Sequence, residues 1–168
     1  TEKLLQLARA EAGVALDAGR VDLMPVLRLL AEEYARRPDV GNRLQFDTAG
    51  LTHLWVRADA DAAGIAVQNL LDNALAHGSG DGPIRFSAGT DGAIRVASEG
   101  RVVAPETLSR LVQRFARGSA PGPGSGLGLA IVDAIMRQSG GSLELFSPAT
   151  GRPTGFEAVL RFRAASEA

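Results

Sequence analysis

Gln68-Asn69-Leu70-Leu71-Asp72-Asn73-Ala74-Leu75-Ala76-His77-Gly78 closes a helical pattern that begins at Asp59, and Gly124-Ser125-Gly126-Leu127-Gly128-Leu129 opens another. In the first stretch Ala63, Val67, Leu70, Leu71 and Ala74 recur at helical spacing as a core stripe. Asn69, Asn73, Ala76 and His77 fall on a different face at about 100° per residue. Asparagine is a mediocre helix former, so two of them four residues apart ask for a reason. Two readings fit. The amides are neutral oxygen ligands for Mg²⁺, which takes few protein oxygens and keeps phosphates and waters, or they are solvated surface.

The glycines of the second stretch let a backbone approach an anion closely, and the helix that follows offers unpaired N–H groups with a favourable dipole. That makes a candidate phosphate cradle, against the plainer reading of a flexible connection. The Gly-Lys-Ser/Thr ending of a P-loop is absent, and no strand precedes the loop, so a dinucleotide fingerprint fails on context. Residues 118–126, GSAPGPGSG, read as the most flexible part of the chain, and Leu127, Ile131, Ala134 and Ile135 resume a helix directly.

Outward from these two segments, Leu4, Leu5, Leu7, Ala8 and Ala12 before Gly13 read as the end of a longer helix. Asp22 to Arg37 is amphipathic, with Leu23, Val26, Leu27, Leu30 and Tyr34 on one face and Pro38 as its stop. Arg43 to Asp47, Leu54 to Arg57, Leu143 to Phe146 and Phe156 to Phe162 alternate as strands, the last with Phe156, Ala158, Leu160 and Phe162 on one side. Ile84 to Ala88 and Ile94 to Ser98 form a hairpin through Asp91-Gly92. Pro105 opens a short helix through Arg114. This order predicts an α/β two-layer sandwich, a mixed sheet with helices on one face, preceded by a short helical remnant.

Composition removes several functions. A formal net charge of -1 over 168 residues, with both signs interspersed, gives no footprint for nucleic acid. No apolar run approaches the ~20 residues of a membrane span. With no Cys and only His53 and His77, disulfides, thiol chemistry and multi-His metal sites are excluded.

Taken in order, the motifs resemble the catalytic domain of bacterial two-component sensor histidine kinases. QNLLDNALAHG resembles the N box, VASEGRVVAPE stands in the place of the G1 box, RLVQRFAR in that of the F box, and GSGLGLAIV closely matches the G2 box. LLQLARAEAG resembles the end of the second helix of the dimerisation and phosphotransfer domain. The resemblance implies the Bergerat ATP fold, shared with DNA gyrase and MutL-type proteins, with a mobile lid. It implies a division into residues 1–18, the end of the dimerisation helix, and 19–165, the ATP-binding domain.

By the same mapping, ATP and Mg²⁺ are the cofactors. Asn73 is the main Mg²⁺ ligand, and Asn69 supports metal and phosphates and is the one candidate for a catalytic contribution. His77 lines the ribose and phosphate side, against a reading as a solvated helix end. Ser98 and Gly100 lie under adenine, Arg117 approaches the phosphates, and Gly124, Gly126, Leu127, Gly128 and Leu129 wrap the triphosphate. The γ-phosphate goes to a histidine on a separate dimerisation domain, then to a cognate response regulator. Neither His53 nor His77 has the flanking acidic residue of the family's phosphoacceptor. The resemblance further implies a cytoplasmic domain, monomeric as a fragment, from a homodimeric inner-membrane sensor. Departures accompany it: Ser98 replaces the G1 aspartate, Val102 and Val103 stand where a second glycine belongs, and Ala76, Val112 and Ala116 replace basic, aromatic and polar positions. They sustain a rival reading, a degenerate regulatory module that acts through protein contacts.

Overall fold

The computed structural model describes Leu5, Gln6, Arg9 and residues 19–117 and 127–165, the side chains of 112–117 excepted. Helix α1 (Met24–Ala35) carries Pro in its first turn and buries Met24, Leu27, Leu30, Ala31 and Tyr34. It ends ahead of Arg37, because the residue before a proline is pushed out of the helical region. Helix α2 (Ala60–His77) is capped by Asp59, whose carboxylate accepts from the Ala62 amide at 3.0 Å. The whole expected stripe of α2 is buried. Leu70 and Leu71 each contribute about 1.5–3 kcal/mol by leaving water.

The strands are β1 (Arg20–Asp22), β2 (Leu44–Asp47), β3 (Trp55–Arg57), β4 (Ile84–Ala88), β5 (Ala93–Ser98), β6 (Ser142–Phe146), β7 (Phe156–Arg161) and β8 (Arg163–Ala164). The main sheet runs β2-β4-β5-β7-β6, with β2 parallel to β4 and the other pairs antiparallel. The β4–β5 hairpin turns at Gly92, whose φ of 81° favours glycine. Register places Phe86 between Phe46 and Val96, with the two phenyl rings 4.8 Å apart.

Strand alternation sends Ile84, Phe86, Ala88, Ile94, Val96, Ala158 and Leu160 into one core with α1, α2 and α4 (Leu127–Gln138). The observed α/β layering is the expected one. Helix α3 (Pro105–Arg117) packs on α4. It runs one turn past the expected end at Arg114, because no residue before Gly118 breaks it. Strand β7 is buried on both sides, since Glu157 and Val159 are covered as well as Ala158 and Leu160. A second sheet, ordered β1-β3-β8, takes up the Trp55–Arg57 strand. Asp22 joins it to α1, accepting from the amides of Met24 at 3.0 Å and Leu54 at 2.8 Å.

Candidate functional site

Strand β5 ends at the mouth of a cleft of about 210 Å³ between α2, α3 and the start of α4. Ser98 shares strand parity with Ile94 and Val96, so its side chain turns to the helical side and is only 5% exposed. Its hydroxyl has no hydrogen-bond partner among the described residues and opens into the cleft. Gly100 follows with a φ of 147°, a conformation that side chains rarely adopt.

The segment 98–103 is held from both flanks. The Ser79 amide donates to the Glu99 carbonyl and the Gly155 amide to the Gly100 carbonyl, each at 2.9 Å. The Ser147 hydroxyl accepts from the Val103 amide at 2.7 Å and donates to the Gly155 carbonyl at 2.6 Å. Arg43 donates to the Gly82 carbonyl at 3.1 Å, and Arg85 pairs with Glu99 at 3.1 Å. Four hydrogen bonds onto this short irregular stretch, from Ser79, Arg85, Ser147 and Gly155, give it the rigidity a binding wall needs.

The cleft gathers Asn73, His77, Ser98, Gly100 and Leu129 from among the expected site residues. Asn73 is half-buried and His77 exposed, one turn apart at the end of α2. Asn69 does not join them. Four residues along a helix advance about 40° and one turn, which carries Asn69 under α4, where it is 1% exposed. Its Nδ2 donates to the Ile65 carbonyl at 2.8 Å, and the side-chain oxygen of Gln6 lies 3.5 Å away. A methyl group on Gly128 would sit 3.2 Å from the Asn69 Oδ1. The expectation that Asn69 shares the outward face of Asn73 is thereby corrected: it is an interhelical group at the first turn of α4, and neither solvated nor in the cleft. Leu127 and Gly128 are half-buried at that turn. Arg117 ends α3 with its side chain outside the described set, and residues 118–126, the segment expected to form a lid, with Gly124 and Gly126, also lie outside the described residues.

Glu99, Arg101, Val103, Thr107, Leu111 and Phe156 complete the lining and were not among the expected site residues. Thr107 and Leu111 carried a signal, being four apart on one helix face. Phe156 carried none, because its place follows from pairing with Ser98 across the sheet. Val103, Leu111, Leu129 and Phe156 thus give the cleft an apolar wall among polar side chains, a combination that suits a small molecule. Among the described residues, no three His, Cys, Asp or Glu side chains cluster as a metal site would require.

Residues 58–165, well over half the chain, match the family model "Histidine kinase-, DNA gyrase B-, and HSP90-like ATPase". The chain belongs to this ATPase family. Within it, the similarity is to sensor kinases. A "Signal transduction histidine-protein kinase/phosphatase MprB" of Mycolicibacterium vanbaalenii is 34% identical over 148 residues, 84% of this chain and 30% of that protein. A "Sensor histidine kinase component HK1" of Mycobacterium tuberculosis is 36% identical over 136 residues, 79% of this chain and 77% of that protein. The solved "Mycobacterial sensor histidine kinase MprB" superposes with a TM-score of 0.64 at 29% identity, covering 88% of this chain and 99% of that one. The full-length ShkA complex with AMPPNP reaches 0.70 at 24% identity over 99% of this chain and 36% of that one, a likeness of fold. The chain spans less than half the length of the first curated relatives it matches. It is a histidine-kinase-type ATPase domain, and no helix among its described residues is long and apolar enough to cross a membrane.

Proposed function

We propose that this domain binds Mg·ATP in the cleft below Ser98 and serves a sensor histidine kinase, presenting the γ-phosphate to a histidine on a separate dimerisation domain for relay to a response regulator. The observation that supports it best is the cleft itself: Ser98, a buried serine whose hydroxyl has no partner among the described residues, faces apolar walls of Val103, Leu111, Leu129 and Phe156, with Asn73 and His77 at the border. Those features suit a flat purine, with polar groups left for ribose and phosphates.

The metal also fits. In the absence of an acidic cluster among the described residues, a cation here must draw charge from phosphates, and one neutral amide oxygen is what Mg²⁺ asks of a protein in such a site. Asn73 would hold it through Oδ1, and bound Mg·ATP would supply the transferable phosphoryl group. The chain's own contribution is positioning: Ser98 and Gly100 orient the base, Asn73 and His77 the phosphate side, and Arg117, Gly124, Gly126, Leu127, Gly128 and Leu129 enclose the phosphates. Asn69 acts indirectly, setting the first turn of α4 through Gly128. Residues 1–18 belong, in this reading, to the dimerisation helix of a homodimeric inner-membrane sensor, and 19–165 to a cytoplasmic kinase domain; Leu5, Gln6 and Arg9 are helical.

Titration calorimetry with ATP, with and without Mg²⁺, tests the assignment. Asn73→Ala is expected to abolish the Mg²⁺-dependent part of binding while circular dichroism stays that of the folded domain, since Asn73 lies outside the core stripe. Unchanged Mg²⁺ dependence in the folded variant removes Asn73 from the metal. Failure of the intact domain to bind any nucleotide leaves the rival reading, a regulatory module.

A further inference from the structure

Ser98 and Arg101 give the base end of the cleft a chemistry that does not depend on adenine. We infer that this domain accepts 6-oxopurine nucleotides, guanosine and inosine triphosphates, nearly as readily as ATP; the inference rests on the cleft being the nucleotide site. Adenine presents a donor at its 6-position, the amino group, and guanine and hypoxanthine present an acceptor there. A carboxylate only accepts, so it rewards the first and opposes the second. A hydroxyl does either. Ser98 is the buried polar residue of the lining, 5% exposed, and its Oγ makes no hydrogen bond to described residues, so its proton is free to turn either way.

Two neighbours point the same way. Arg101 borders the same cleft with no ion-pair or hydrogen-bond partner among the described residues, leaving a donor fork for purine O6 and N7. Glu99, the carboxylate of the lining, lies past the end of β5 and is engaged by Arg85 at 3.1 Å. It is therefore a poor substitute for an adenine-selecting acid at the cleft floor. At Ser98 itself, selection between 6-amino and 6-oxo bases reduces to the difference between two neutral hydrogen bonds, a factor of about tenfold at most.

Calorimetry on the intact domain with Mg·ATP, Mg·GTP and Mg·ITP decides it. Dissociation constants for the three are expected within about tenfold of one another, and ITP separates the 6-position from the 2-amino group. Arg101→Ala is expected to weaken GTP and ITP by a larger factor than ATP. Ser98→Asp is expected to widen the preference for ATP beyond that of the wild type, and the wild-type ratios stand as the test even if that variant does not fold. Binding of ATP with rejection of both GTP and ITP by more than about a hundredfold overturns this inference and leaves the ATP assignment standing. Absence of binding by all three overturns both.

Discussion

Replacing Gly128 by alanine sets two effects against each other, and Asn69 decides which prevails. Alanine in a helix is favoured over glycine by about 1 kcal/mol, less in a first turn. The added methyl, however, would lie 3.2 Å from the Asn69 Oδ1 and 3.9 Å from its Cβ. The amide has little freedom to withdraw, because it is 1% exposed and anchored to the Ile65 carbonyl at 2.8 Å. Overpacking of this kind costs about 1–3 kcal/mol, so Gly128→Ala should destabilise by about 1 kcal/mol net. In an Asn69→Ala background the obstacle is gone and the propensity gain survives, so the same change should become neutral or mildly stabilising. The coupling energy of the double-mutant cycle is then about 1–2 kcal/mol. Urea denaturation followed by circular dichroism on the four proteins measures it. Additive effects, with coupling inside the ~0.3–0.5 kcal/mol expected of independent sites, would refute the contact as the determinant of this helix crossing.

Tyr34 is the single tyrosine and is buried, with its hydroxyl donating to Asp72 at 2.6 Å and the Gln68 carbonyl 3.3 Å away. Tyr34→Phe should cost about 1–2 kcal/mol in denaturant melts. Burial, then the Asp72 carboxylate, pushes the phenol well above its ordinary range. Its stabilisation is full below the unfolded value of about 10 and drains as pH rises beyond it, so tyrosinate absorbance should emerge only as the protein unfolds. Burial raises the Asp22 carboxyl, but hydrogen bonds from Leu54, His53 and Met24 outweigh it and the net shift is downward. Its contribution is present above about pH 4 and lost as pH falls through the folded value, so Asp22→Asn should show a smaller acid-induced loss of stability than the wild type. Gly155→Ala should cost about 2–3 kcal/mol or more, since a methyl there meets the Ser98 carbonyl at 2.5 Å at a φ of 95°. Gly151→Ala, at a φ of 75° with nothing nearby, is the control and should cost about 1 kcal/mol.

Periodicity made the helices and the central hairpin legible, because Leu70, Leu71, Ile94 and Val96 each bury one face and the pattern is local. The same parity placed Ser98 inward, and the structure leaves it there. What the pattern missed depends on partners distant in the chain. Arg20–Asp22 and Arg163–Ala164 are too short to show a period and are strands only because Trp55–Arg57 lies between them. Glu157 and Val159 alternate as an outward face, yet β7 is a central strand whose outer side is covered. Asn69 and Asn73 look equivalent on a helical wheel drawn in isolation. Helix α4 separates them by covering one and leaving the other at the cleft, and nothing in the α2 sequence announces that neighbour.

The sheet formed by β1, β3 and β8 sets the first and last strands among the described residues, which begin at Arg20 and end at Ala164, on either side of one strand. Two strand spacings of about 4.8 Å separate their backbones, a gap of about 10 Å that a linker of three or four residues spans. The arrangement of elements is then independent of where the polypeptide is cut. A circular permutant joined across β3 and reopened at the Asp91–Gly92 hairpin keeps every strand neighbour and the whole cleft. Domains with adjoining ends also insert readily into other proteins, as a bead does on a thread.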